Sequence, residues 1–196
     1  MYKPAFTPHD SVPDMHALIE AHPLGAVVIQ TEDGLTADHV PFLILPPSEG
    51  APFGTLRAHV ARANPLWQRT GGRVLVIFRG HDGYVTPALY DEKTKSGKVV
   101  PTWNYAVVHA HGTLRAVDDP QAVLTTVDAL TRRHEAGRAQ PWQVRDTPQE
   151  YLDKLLSAIV GIEIDIARME GKWKASRNRT GAEFERISAA VPVPFG

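Results

Sequence analysis

The sequence predicts a mainly β fold: an antiparallel, Greek-key-like barrel decorated by α-helices, forming one domain over residues 1–190. Three observations carry this expectation. Short β-rich runs follow one another across turn signals, among them Asp33-Gly34, Ser48-Glu49-Gly50 and Asp82-Gly83. Helical patterns interrupt the strands instead of alternating with them, which argues against a doubly wound parallel sheet. The chain also lacks a glycine-rich phosphate loop of either common spacing.

The first element is a helix from Ser11 to Ala21, capped by Asp10 or Ser11, with Val12, Met15 and Ile19 on one face. His22-Pro23 stops it, because a residue before proline is pushed out of the helical region. Strands follow at residues 26–30 and 35–45, joined at Asp33-Gly34, and a third at 53–58. Asn64-Pro65 opens a short helix toward Thr70, closed by Gly71-Gly72. Residues 74–79 and 84–86 read as a hairpin around Asp82-Gly83, residues 90–100 as an exposed loop, and 103–117 as a long strand. Asp119-Pro120 and Thr147-Pro148 each start a helix, and Leu152, Leu155, Leu156 and Ile159 form the apolar stripe of the second. Residues 161–168 alternate isoleucine with Glu163, Asp165 and Ala167, the pattern of a half-buried strand. Thr180-Gly181-Ala182-Glu183 is a capping-box pattern for a last helix, and residues 191–196 read as a loose tail.

Composition narrows the function classes. Of 196 residues, 43% are apolar and 22% charged, with 21 basic against 22 acidic side chains, as in an ordinary globular protein. This balance gives no global basic field, so a nucleic-acid contact requires a local patch. The absence of cysteine excludes disulfides, a thiolate nucleophile, Cys-ligated zinc and iron–sulfur clusters. Met1 to Phe6 lacks the run of about seven apolar residues of a signal peptide. The most apolar runs, at 41–47 and 74–78, fall far short of the ~20 residues that span a bilayer. The expectation is a cytoplasmic protein with no membrane contact.

Four patches are candidates for chemistry. In the first, Ala58 to Pro65, a strand hands over to a helix. The amides there favour anions and Arg62 offers a bidentate charged fork, although Asn64 as a plain cap and Arg62 as a surface charge is the simpler alternative. In the second, Val100 to Tyr105, Trp103 and Tyr105 stand beside Thr102 and Asn104, able to stack on a flat ring and bond its edge. The alternative is a core tryptophan. The third runs from Lys172 to Arg179 and carries +4 with no acid, which suits an anionic ligand or a nucleic-acid backbone, or a solvated face. In the fourth, His109 and His111 share one strand face. With no carboxylate recurring at ligand spacing they read as a satisfied face, and no metal is expected. His134-Glu135 is half a metalloprotease motif, but Arg138 stands where the second histidine belongs. None of the serines at 11, 48, 96, 157, 176 and 188 has a nucleophile-elbow context, so no catalytic residue is assigned.

Taken in order, Met1-Tyr2-Lys3-Pro4, His22-Pro23-Leu24-Gly25, His39-Val40-Pro41-Phe42, His59-Val60-Ala61-Arg62-Ala63-Asn64-Pro65, Val100-Pro101-Thr102-Trp103-Asn104-Tyr105, Ile159 to Ile164 and Gly171-Lys172-Trp173-Lys174 resemble the PaiB family. That family is also described as FMN-binding negative transcriptional regulators. The resemblance runs from Met1 to about Asn178, and it implies a flavin-binding split barrel, a homodimer, and FMN near the subunit interface. The site residues it implies are His39, His59, Ala61, Arg62, Ala63, Asn64, Thr102, Trp103, Asn104 and Lys174. Arg62 and the amides of 61–64 are expected to hold the FMN phosphate. Trp103, with Thr102 and Asn104, is expected to flank the isoalloxazine ring or its dimer-partner wall, while Lys174 reaches polar atoms. Two departures stand out: Thr86-Pro87-Ala88-Leu89-Tyr90 where the family commonly has Ser-Pro, and Ser176-Arg177-Asn178 where it commonly has Ser-Gln-Asn.

Two functions follow from the resemblance. One is a flavoprotein repressor. The other is a flavin-dependent oxidoreductase, or a related haem- or flavin-handling enzyme, using NAD(P)H or a small-molecule substrate. No helix-turn-helix is evident, and the helix after Thr147-Pro148 carries Glu150, Asp153 and Lys154 instead of a basic reading face. DNA contact would therefore run through Lys172, Lys174, Arg177 and Arg179.

Overall fold

Local capping chemistry sets the first elements. A computed structural model describes residues 1–2, 8–9, 11–179 and 181–192. Strand β1 (Pro8–His9) precedes helix α1 (Val12–Ala21), which begins where the Ser11 hydroxyl accepts the Asp14 amide and Pro13 fills the first turn. The helix ends at His22, whose amide donates to the Leu18 carbonyl at 2.9 Å, and it buries Met15, Leu18 and Ile19. Strands β2 (Leu24–Thr31) and β3 (Gly34–Pro41) form the hairpin expected at Asp33-Gly34. Gly34 takes φ 113° there, a conformation open to glycine and strained for other residues.

The remaining strands are β4 (Leu43–Leu45), β5 (Thr55–Ala61), β6 (Arg73–Val85), β7 (Thr102–Val117) and β8 (Ile159–Lys174). Their hydrogen-bonded order is β3-β2-β6-β7-β8-β5-β4, with β1 on β8, and every pairing with a defined register is antiparallel. Helices α2 (Glu92–Lys95), α3 (Pro120–Glu135), α4 (Gln149–Ser157) and α5 (Gly181–Ala190) interrupt the strands. The antiparallel, helix-decorated architecture is therefore as expected.

The chain divides into two compact units, with β6, β7 and β8 running from one into the other. Unit 1 comprises 1–22, 78–109 and 170–196, and its core holds Ile19, Phe78, Val108, Trp173 and Ile187. Unit 2 comprises 23–77 and 110–169, and its core holds Val27, Phe42, Leu56, Val76, Leu114, Ile162 and Ile164.

Several expectations need correction. The run 35–45 is two strands, because Phe42 breaks the ladder to bury its ring at 1% exposure while its amide donates to the Pro23 carbonyl at 2.9 Å. The helix after Asn64-Pro65 is a 3-10 turn over Pro65–Arg69. No hairpin forms at Asp82-Gly83; β6 is continuous, and Gly83 is small because a Cβ would lie 2.7 Å from Val191 Cγ1. Residues 90–100 contain the short α2. Strand β8 is longer than 161–168, and its polar face is not solvated around Gly161 and Glu163. Helix α3 covers that face, with Val123 Cγ2 3.4 Å from a Cβ built on Gly161. Val191, assigned to a loose tail, is buried, and the proposed Thr180 cap and residues 193–196 lie outside the described residues.

Candidate functional site

The expected site residues fall into two groups, one in each unit. In unit 2, β3 carries His39, exposed, and β5 carries His59, half-buried. His59 Nδ1 has no hydrogen-bond partner although it is fully enclosed, and burial pushes its pKa below the ordinary histidine value. Ala61 and Ala63 are exposed at the end of β5. Asn64 caps the 3-10 turn by accepting the Leu66 amide at 2.8 Å and donates to Asp38 Oδ1 at 2.8 Å.

Arg62 is tied down from every side. Its Nη1 and Nη2 donate to the Asp118 carboxylate at 3.0 and 2.6 Å, its Nε to the Ser157 carbonyl at 2.9 Å, and its amide to the Ala158 carbonyl at 2.8 Å. Its carbonyl accepts the Trp67 indole N–H at 3.0 Å. The bonds to Asp118 raise the Arg62 pKa, and those from Arg62 hold Asp118 below the usual carboxylate range. The Asn64 amide is also taken, by the Ala61 carbonyl at 2.8 Å. The Arg62 guanidinium and the Arg62 and Asn64 amides, expected to hold the phosphate, are thus already donating within the chain; the visible work of Arg62 is to pin the loop to the start of β8.

In unit 1, Lys174 Nζ donates to Thr102 Oγ1. Side chains alternate along β7, so Trp103 and Asn104 point opposite ways and do not flank one ring together. Asn104 is 1% exposed and accepts the Ser176 hydroxyl at 3.0 Å, which makes it a positioning residue. Trp103 is 53% exposed and meets Tyr84 edge to face, centroids 6.0 Å apart. Sequence reasoning missed Tyr84, for which no local pattern gave a signal, and Ser176, whose place in the basic run was visible but whose φ of 55° was not.

The basic run is a solvated face only in part: Arg177 is exposed, but the other three cations are held. Lys172 is buried, lies over the rings of Tyr2 and Tyr105, and donates to the Tyr2 carbonyl at 3.2 Å. Lys174 is held by Thr102, and Arg179 pairs with Glu183 at 3.2 Å. His109 and His111 are half-buried on β7 and both are engaged.

An ammonium held by a hydroxyl, in a pocket that Tyr90 also lines, fits FMN, which presents hydroxyls and an anionic end. The class is thus a helix-decorated antiparallel barrel with a polar cradle suited to a flavin. The chain belongs to the family described as "Putative FMN-binding domain", whose model matches residues 1–168, and FMN is accordingly its cofactor. It is 34% identical to an uncharacterised protein of Emericella nidulans, covering 90% of this chain and 84% of that one. It is 23% identical to the Bacillus subtilis "Protease synthase and sporulation protein PAI 2", covering 95% and 87%. The FAD and heme binding protein of Mycobacterium smegmatis shares its fold, with TM-score 0.65 and 19% identity over 93% of this chain and 79% of that one. So does flavocytochrome Anf3 of Azotobacter vinelandii, with TM-score 0.65 and 15% identity over 92% and 73%. The split-barrel expectation is borne out. Among the described residues no helix is long and apolar enough to cross a membrane.

Proposed function

We propose that this protein is an FMN-binding negative transcriptional regulator of the PaiB type that works as a homodimer. The observation that carries the flavin part is Lys174 held by Thr102 at the start of β7, in a pocket that Tyr90, Arg177 and Arg179 also line. Lys174 bonds polar atoms of the flavin and Thr102 fixes the ammonium, while Trp103 with Tyr84 forms an exposed aromatic pair on the opposite face of β7. FMN supplies redox chemistry at its ring when bound. His39, His59 and the 61–64 loop shape unit 2, with Arg62 as the loop's anchor.

The dimer is supported by exposed apolar groups in unit 1, Tyr84, Val100 and Trp103, which a monomer in water would leave uncovered. The regulatory part rests on the family resemblance and on likeness to the Bacillus protein. Because Lys172 is engaged, buried against the rings of Tyr2 and Tyr105, and the 174–179 cations line one pocket, this reading does not use the 172–179 run as a DNA surface. That same engagement favours a second reading, a flavin-dependent oxidoreductase. A gel shift of the FMN-loaded protein on DNA from upstream of its own gene, run beside an NAD(P)H oxidation assay, separates the two. Retardation that responds to FMN is expected. FMN-dependent NAD(P)H oxidation without retardation overturns the regulatory reading.

A further inference from the structure

We propose that the turn Ser176–Arg179, together with Lys174, is the seat of the FMN phosphate. The inference rests on the flavin reading above and deepens it. A cavity of about 220 Å3 in unit 1 gathers three cations, Lys174, Arg177 and Arg179, around the Thr102 hydroxyl, the Asn178 amide and the Tyr90 ring. Among the described residues no carboxylate lines it. A phosphate monoester carries about −1.5 to −2 charges near neutral pH, which the three cations, with Arg179 offset by Glu183, still match. Charge-assisted bonds from arginine are the geometry phosphates favour.

The turn is held by bonds of its own. Ser176 sits at φ 55°, a left-handed value uncommon outside glycine, and its hydroxyl donates at 3.0 Å to the buried Asn104. The Arg179 amide donates to the Ser176 carbonyl at 2.9 Å and closes the turn. Arg179 is oriented by the Tyr90 ring, 4.7 Å from its guanidinium, and by Glu183 at 3.2 Å. Glu183 lies outside the cavity lining and also accepts the Asp91 amide at 3.1 Å. Arg62 is more fully committed: its guanidinium meets both Asp118 oxygens and two backbone carbonyls, whereas Arg179 meets Glu183 through a single contact at 3.2 Å. The arginine that stands where the family commonly has glutamine, Arg177, adds a charge to the seat.

Riboflavin differs from FMN only in lacking the phosphate, which makes the pair a direct probe. Affinities for both are measured by flavin fluorescence on the flavin-stripped full chain, for the wild type, Arg177→Gln, Arg179→Gln and Arg62→Gln. The wild type should prefer FMN, and Arg177→Gln should reduce that preference by about tenfold or more with riboflavin affinity unchanged. Arg62→Gln should keep the preference. Arg179→Gln should act in the same direction as Arg177→Gln, but Arg179 also braces Tyr90 and Glu183. Arg177→Gln leaves those contacts intact and is therefore the decisive variant. An unchanged preference in Arg177→Gln, no preference in the wild type, or a preference lost only in Arg62→Gln overturns the proposal. Failure of the underlying flavin reading looks different: the wild type would then bind neither FMN nor riboflavin saturably.

Discussion

Glu163 shows what one side chain does for unit 2. It is 7% exposed on β8 and accepts Arg57 from β5 at 2.7 Å, while its other oxygen accepts Arg115 from β7, so one carboxylate ties three strands together. Glu163→Gln keeps the shape and removes the charge, leaving two half-exposed arginines without it. Equilibrium denaturation should show a loss of about 1–3 kcal/mol; a change within error would mean that the pair contributes nothing net. His59 gives the pH dependence. Burial holds its pKa below the ordinary value near 6.5, as it does for His22, where the charge of His81 adds to the effect. The unfolded chain then binds protons more readily than the folded one, so this stability is complete above about pH 6.5 and is lost as pH falls toward the folded values. Thermal unfolding should show melting temperature falling with pH in that window, and His59→Asn should flatten the fall. An unaltered profile in that variant would mean that His59 does not set the pH dependence.

At the scale of elements, strand packing makes sharp demands on glycine. A Cβ on Gly112 of β7 would stand 2.3 Å from the Asp165 carbonyl oxygen of β8, whereas one on Gly137 would meet nothing within 4 Å. Gly112→Ala should destabilise by about 1–3 kcal/mol and Gly137→Ala by essentially nothing, as measured by denaturant midpoints; equal effects would contradict this packing. The same scale shows what the sequence makes legible. Caps such as Ser11, Asn64 and Asp119 act within a few residues, and each performs its expected role. Gly83 misled because the reason for it, Val191, lies more than a hundred residues downstream. Strand β8 misled because its polar alternation implied water where α3 supplies a cover. The candidate site divides in the same way. The residue types at 102–104 and 172–174 were visible, but the burial of Asn104 and the partner of Arg62, 56 residues away, depend on tertiary placement that no local pattern encodes.

For the whole molecule, the proposed homodimer links assembly to cofactor. If pairing completes the flavin site, dilution releases FMN in step with dissociation, by mass action. Light scattering and flavin fluorescence followed over the same dilution series should give coincident transitions; a monomer that retains stoichiometric FMN would sever the link. Whatever the assembly, the flavin reading requires that unit 1 hold FMN through Lys174. Titration of FMN into the wild type and Lys174→Met, with circular dichroism to verify the fold, puts that requirement to the test. Saturable binding at one FMN per chain is expected, with an affinity about tenfold or more weaker in the folded variant, the loss due to a charged hydrogen bond. A folded Lys174→Met that binds FMN as tightly as the wild type would contradict it.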